Sequence, residues 1–445
     1  MRWLIRAALS ILAVLGIAAI GIGALILWHA GEYPVASKVK KAASLAPLPR
    51  GNAQAPTERT VVLLVFDGLA PALVRSVDTP SLRRIAREGA ATLAMVPVFP
   101  TLSMPNHVSL STGCYPERHG VVSNRFIDPE HGLYAEKGDG LWLEACEHLS
   151  EIAERQGVRA SVHGWMGTHR AGKLLMSHGG PYEDPPPSSA ERMAQVIASL
   201  QRPGDRSRFI ASYVDEPDHV LHMKGFDAPE AKAMMHEVDA AIGRVLAAID
   251  EAQLWDRTTL IVTTDHGLVP VTTHLNVGGI LSRAGIDGLV AADGSIAHVY
   301  LSDPSTRAAA IDKLKGFKQF DVIVPGSAPP WAHLGTSERL GDFVISTKPG
   351  YYMFDRGIWP VHLRFAYRFA PDELSERTLV AAHGYPPSTP GVEAVFFAMG
   401  AGVATGASLE GLRTIDVHPT IAKLLGVAPG QPLDGQAFEA LFAQP

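Results

Sequence analysis

Residues 215–222 read Asp-Glu-Pro-Asp-His-Val-Leu-His and hold two carboxylate–imidazole pairs four residues apart, Asp215 with His219 and Asp218 with His222. Two side chains at that spacing on one helical face can grip a single ion. Pro217 separates the pairs, because proline suits the first turn of a helix and holds the residue before it extended. Asp215 therefore belongs to a strand end, and Asp218 with His222 to the helix that follows. Two other strand-like runs end in the same chemistry: "TVVLLVFDG" in Asp67 and "TTLIVTTDHG" in Asp265 and His266. One such Asp by itself reads as a helix cap or turn residue. Three in one chain, with histidine beside two of them, read as the mixed carboxylate and imidazole ligands that suit zinc. The stretch "FPTLSMPNH" adds two hydroxyls, Thr101 and Ser103, just ahead of a helical pattern, where a helix N-terminus favours negative charge.

These residues need a scaffold that brings distant strand ends together. From Thr60 onward, apolar runs of strand length alternate with helical patterns, which predicts an α/β fold with a mixed, mostly parallel central sheet and helices on both faces. In such sheets ligands gather outside the carboxyl ends of the strands, so the acidic ends can converge on one crevice. A helix is expected after the first strand, with Thr79 as cap, Pro80 in the first turn and Gly89 as stop. His418, before Pro419, is expected at a helix start. Residues 268–382 are irregular in pattern and read as a smaller cap or insertion within a catalytic domain spanning 59–445.

The ordered blocks "VFDGL", "FPTLSMPNHVSLSTGCYPERHGVVSN", "YVDEPDHVLH", "TTDHG" and "HGY" resemble the nucleotide pyrophosphatase/phosphodiesterases of the alkaline phosphatase superfamily. The resemblance implies an alkaline phosphatase-like fold and a two-zinc hydrolase of phosphodiester or pyrophosphate bonds. It implies one ion held by Asp67, Asp265, His266 and the nucleophile, and another by Asp218, His222 and His383. It places the nucleophile two residues before the Pro-Asn pair, at Ser103, where relatives usually carry threonine. Asn124 takes the place of the asparagine that donates to a phosphate oxygen, and Tyr213 that of a tyrosine on which relatives stack a nucleobase. His107, His119 and His418 read as structural.

Rival readings are limited by the same residues. "CYPER" at 114–118 satisfies the C-x-P-x-R pattern from which sulfatases make formylglycine at the cysteine, here Cys114, but the continuation "HGVVS" and the single Asp67 on the first strand depart from that pattern. Other readings of the same metals are a lysophospholipid or choline-type phosphodiesterase and a phosphomonoesterase, the latter usually needing an extra cation near the third phosphate oxygen, which the sequence does not single out. A non-catalytic binding protein would have no need of six metal ligands and a hydroxyl. Two cysteines, Cys114 and Cys146, allow one disulfide or two thiols. A net charge of -6 gives no basic excess for a nucleic-acid polymer, so the partner expected is a small phosphodiester. Residues 1–29 are long and apolar enough to span a bilayer behind Arg2 and Arg6, and read as a transmembrane anchor rather than a cleaved signal sequence. With 30–58 as linker, they place the catalytic domain outside the cytoplasm.

Overall fold

The computed structural model describes residues 46–47, 57–135, 145–170, 173–183, 185–204, 206–353, 371–374 and 379–443. The expected anchor at 1–29 and nearly all of the linker lie outside the described residues. Among the described residues no helix is long and apolar enough to cross a membrane.

The principal elements in chain order are β1 (Thr60–Phe66), α1 (Pro80–Glu88), β2 (Ala90–Met95), α2 (Ser103–Thr112), β3 (Ala160–Trp165), β4 (His178–Pro181), α3 (Ser189–Gln201) and β5 (Phe209–Val214). They continue with α4 (Asp218–Lys224), α5 (Pro229–Glu251), β6 (Thr258–Thr263), β7 (Gly288–Asp293), β8 (Ile296–Leu301), β9 (Phe320–Ile323), β10 (Phe343–Thr347), β11 (Ala394–Gly400) and α6 (Thr414–Leu425). The main sheet has the order β2-β11-β6-β1-β5-β3-β4. Strands β6, β1, β5, β3 and β4 run parallel, and β11 lies antiparallel between β6 and β2.

Every residue of β1 is buried, as the unbroken apolar run "VVLLVF" requires of a strand covered on both faces. Val61, Leu63 and Val65 join one core with Met104 and Val108 of α2 and Ile421 of α6. Val62, Leu64 and Phe66 join a second core with Val238, Ile242 and Val245 of α5. The predicted α/β sandwich is the fold observed. Within 268–382 lies a separate antiparallel sheet of order β7-β8-β10-β9 with its own apolar cluster.

Two local expectations change. Helix α1 occupies the predicted span, but Thr79 makes no side-chain cap. The carboxylate of Asp239, on α5, takes the first-turn N–H groups of Ser81 and Leu82 at 3.0 Å each. Helix α6 begins four residues before His418, where the Asp416 carboxylate accepts the Arg413 peptide N–H at 3.1 Å; Pro419 lies inside the helix.

Candidate metal centre and catalytic crevice

The three acidic strand ends belong to neighbouring strands, β6, β1 and β5, so Asp67, Asp215 and Asp265 emerge side by side. The peptide N–H of Asp218 donates to the carbonyl of Asp67 at 3.0 Å and ties the start of α4 to the end of β1. Gly68 makes that approach possible. Its φ is +64°, and a β-carbon there would lie 2.7 Å from the Asp218 β-carbon. Asp218 opens α4 with His222 one turn on, as Pro217 led us to expect.

The side chains form two triads whose ligand atoms lie within 4.8 Å of one another: Asp67, Asp265 and His266 in one, Asp218, His222 and His383 in the other. Each carboxylate has one oxygen engaged and one left over. The Tyr213 hydroxyl donates to Asp67 Oδ2 at 2.6 Å. Asp265 Oδ1 takes the N–H groups of Gly68 and His266 and the Thr264 hydroxyl. Asp67 Oδ1, Asp265 Oδ2 and Asp218 Oδ1 are buried without a hydrogen-bond partner. Unpaired buried carboxylate oxygens are costly unless a cation meets them, so the donor set fits metal ions.

The histidines are oriented to match. His222 Nδ1 contacts the Ala381 carbonyl at 2.7 Å and His383 Nδ1 that of Thr101 at 3.0 Å, which turns both Nε2 atoms toward Asp218, at 3.2 and 3.7 Å. A histidine whose other nitrogen is held by a carbonyl is the usual metal-ligand arrangement. His266 Nε2 stands 3.2 Å from Asp265 Oδ2 and 3.5 Å from Asp67 Oδ1, and its ring stacks on His383 at 3.7 Å.

Electrostatics point the same way. Burial, then Asp265 and Asp218, drives the Asp67 carboxyl well above its ordinary range. Burial, then Asp218, takes Asp265 to about 7. Burial opposes the ionisation of Asp218, but His222 and then His383 outweigh it and hold the carboxyl below its ordinary value. A positive ion among three such carboxylates relieves both repulsion and desolvation.

Ser103 is the first residue of α2, half-buried, and its hydroxyl makes no helix cap. Its Oγ lies 3.1 Å from His266 Nε2. Thr101, the other candidate hydroxyl, is fully buried and clamps the His383 loop: its Oγ1 donates to the Tyr385 carbonyl and accepts from the Gly384 N–H, each at 2.9 Å. Asn124 accepts the Met104 N–H through Oδ1 at 2.8 Å, which leaves its Nδ2 donors for a ligand. Ser103, Asn124, Asp67, Asp218, His222 and His383 all line one crevice of about 320 Å³, together with Asp215, His219 and Asp293.

Tyr213, expected as a base platform, lines the crevice but is closely covered by its neighbours. It is 3% exposed, its ring stands edge to face against His107 at 4.4 Å, and its hydroxyl is committed to Asp67. The burial that a parallel-sheet strand imposes leaves little of its face for stacking. Asp215 is a hydrogen-bonding strand end, accepting the Tyr182 hydroxyl at 2.5 Å. His119 and His418 are structural, bonded to Ser109 and to the Ser111 carbonyl. His107 reaches further than expected, with Nε2 3.5 Å from Asp265 Oδ2; burial lowers its pKa to about 3, so it packs there as a neutral ring. Cys114 is fully buried and joined to Cys146 in a disulfide, which leaves no thiol for the formylglycine chemistry of a sulfatase.

Asn106 escaped the sequence reading. Fully buried, it takes the Val98 N–H on Oδ1 and donates Nδ2 toward the carbonyls of Val98, Pro100 and Leu102, which fixes the loop before Ser103. A polar helix that is buried from Met104 to Thr112 carries no periodic signal to reveal it.

The chain is similar to known proteins in sequence and in fold. The chain matches the sequence model of the type I phosphodiesterase / nucleotide pyrophosphatase family over residues 61–386. It is 25% identical to an uncharacterized pyrophosphatase/phosphodiesterase of Schizosaccharomyces pombe, over 99% of this chain and 90% of that one. It is 24% identical to the bis(5'-adenosyl)-triphosphatase enpp4 of Xenopus laevis, over 84% of this chain and 79% of that one. Murine ectonucleotide pyrophosphatase/phosphodiesterase 5, solved as an inactive threonine-to-alanine variant in complex with AMP, superposes with a TM-score of 0.75 at 22% identity, covering 86% of this chain and all of that one. With its fold, its paired triads and a family match over most of its length, the chain belongs to the type I phosphodiesterase / nucleotide pyrophosphatase family.

Proposed function

We propose that the protein is a two-zinc hydrolase that cleaves phosphodiester or pyrophosphate bonds of nucleotides through a covalent phospho-Ser103 intermediate. The observation that carries this reading is the position of Ser103 Oγ, at the N-terminus of α2 and 3.1 Å from the triad residue His266. Zinc bound by the two triads would supply charge neutralisation at the phosphoryl oxygens and a lowered pKa for the attacking hydroxyl. Ser103 attacks phosphorus, the bond to the leaving group breaks, and water then hydrolyses the phospho-serine ester and restores the hydroxyl. Asn124 Nδ2 donates to a phosphate oxygen that gains charge, and the N-terminus of α2 favours that charge. Tyr213 and the carbonyls of Ala381 and Thr101 position Asp67, His222 and His383.

No Lys or Arg is among the described residues lining the crevice. A phosphate monoester would bring a further negative charge with no side-chain cation to meet it, so diesters and pyrophosphates are favoured over monoesters. The named activity of the frog relative and the AMP bound by the murine one support a nucleotide. A second reading rests on Asp215 and Asp293, whose carboxylates at the crevice wall suit a cationic head group of the choline type. Turnover of p-nitrophenyl-thymidine monophosphate, p-nitrophenyl phosphorylcholine, bis-p-nitrophenyl phosphate and p-nitrophenyl phosphate, with and without chelator, tests the assignment. Chelator-sensitive preference for the thymidine diester supports it; preference for the choline ester moves the substrate to lipid head groups, and preference for the monoester removes the diesterase reading.

A further inference from the structure

The amino ends of the parallel strands, opposite the crevice, carry an unassigned concentration of charge. Arg257, Arg208 and Arg159 immediately precede β6, β5 and β3, and their carbonyls accept ladder hydrogen bonds from Thr60, Val61 and Phe209. With Arg206 they line a cavity of about 630 Å³ where Glu58 is the one acidic residue among the described lining residues. A six-residue strand separates the two ends of the sheet by roughly 20 Å, so this cavity is remote from Ser103.

Two of the guanidiniums, those of Arg208 and Arg206, are poorly compensated among the described residues. Arg208 has a side chain only 11% exposed, and its one ionic neighbour among the described residues, Glu58, lies 3.6 Å away on a side chain 92% exposed. Its Nη1 is buried with no hydrogen-bond acceptor. Arg206 donates to a neutral partner, the Thr60 hydroxyl, at 2.7 Å. Burial, then Arg257 and Arg208, hold its pKa below the ordinary value, against Glu58 and Asp256, which raise it. Arg159 approaches His178 at 3.4 Å. In a chain of net charge -6, such convergence is relieved by a bound anion, and a phosphate group matches the paired donors of guanidinium.

We propose that this arginine cavity is an anion site that binds a phosphate group, free or in a lipid head group, independently of the catalytic crevice. The test is calorimetric titration of the intact, metal-loaded protein with inorganic phosphate. An Arg206→Gln/Arg208→Gln protein is expected to bind one phosphate fewer per chain than the unaltered protein, with turnover of a nucleotide diester unchanged. Whether the crevice also binds phosphate does not alter that difference, so failure of the catalytic reading remains distinguishable. Arg257→Gln, at an exposed position, guards against misfolding: it is expected to weaken the same event about tenfold with an unchanged unfolding midpoint. Equal stoichiometry and affinity in all three proteins would overturn the proposal. Short-chain phosphatidylglycerol, kept below its micelle concentration, identifies the source: displacement of phosphate at lower concentrations than phosphate itself requires assigns a lipid head group, and the reverse order assigns a soluble phosphate.

Discussion

Replacing Tyr213 with phenylalanine separates two roles for one residue. The change keeps the ring against His107 and removes the 2.6 Å hydrogen bond to Asp67 Oδ2. Asp67 would then present both oxygens without a protein donor, since Oδ1 has none already. A buried hydrogen bond to a charged group contributes about 1.5–3 kcal/mol, which corresponds to roughly ten- to hundredfold in affinity for the ion at the Asp67, Asp265 and His266 triad. Chelator competition with metal analysis reads that affinity directly, and kcat/KM for a nucleotide diester at limiting metal should fall in parallel. At saturating metal KM should hold, because nothing that stacks has been removed. Metal affinity within about threefold of the unaltered protein would refute the positioning role for Tyr213.

Other substitutions test other parts of the site. Ser103→Ala should lower turnover by more than about a thousandfold while bound metal stays at two ions per chain; near-normal turnover would sink the phospho-serine mechanism. Gly68→Ala forces a side chain into left-handed backbone, at about 1–2 kcal/mol, and toward Asp218, so metal affinity and thermal stability should both drop. Cys114→Ala with Cys146→Ala opens a loop with a sequence separation of 32 and should cost about 2–4 kcal/mol of stability in a urea titration, yet leave diester hydrolysis intact; loss of all activity in a folded protein would revive the sulfatase chemistry. In chelated protein, Asp265, held at about 7, binds a proton that the unfolded chain has already released. His222, raised by Asp218 against the effect of burial, does the same above the ordinary histidine value. Stability of that protein should therefore fall as pH rises through about 7, and added zinc should abolish the decline; a chelated protein that gains stability as pH rises through about 7 would contradict the carboxylate cluster.

The parts of the site legible in the sequence are those set by backbone geometry over a few residues. A strand that ends in Asp67 or in Asp265 and His266, and a helix that Pro217 starts so that Asp218 and His222 share a face, follow from local spacing alone. The α/β class followed from the alternation of strand and helix patterns, and the ligand roles of His383 and Asn124 rested on likeness to relatives. Tertiary structure decided what depends on groups far apart in the chain. Tyr213 became a partner of Asp67 because β5 pairs with β1 in one register. Thr101 became the clamp of the His383 loop across 282 residues, and Asp239 rather than Thr79 satisfied the start of α1. Cys114 found Cys146, and four arginines met at the amino ends of the sheet. Such contacts arise when distant segments close on one another, and the pattern of residue types along the chain records the ends of that closure without recording which ends meet.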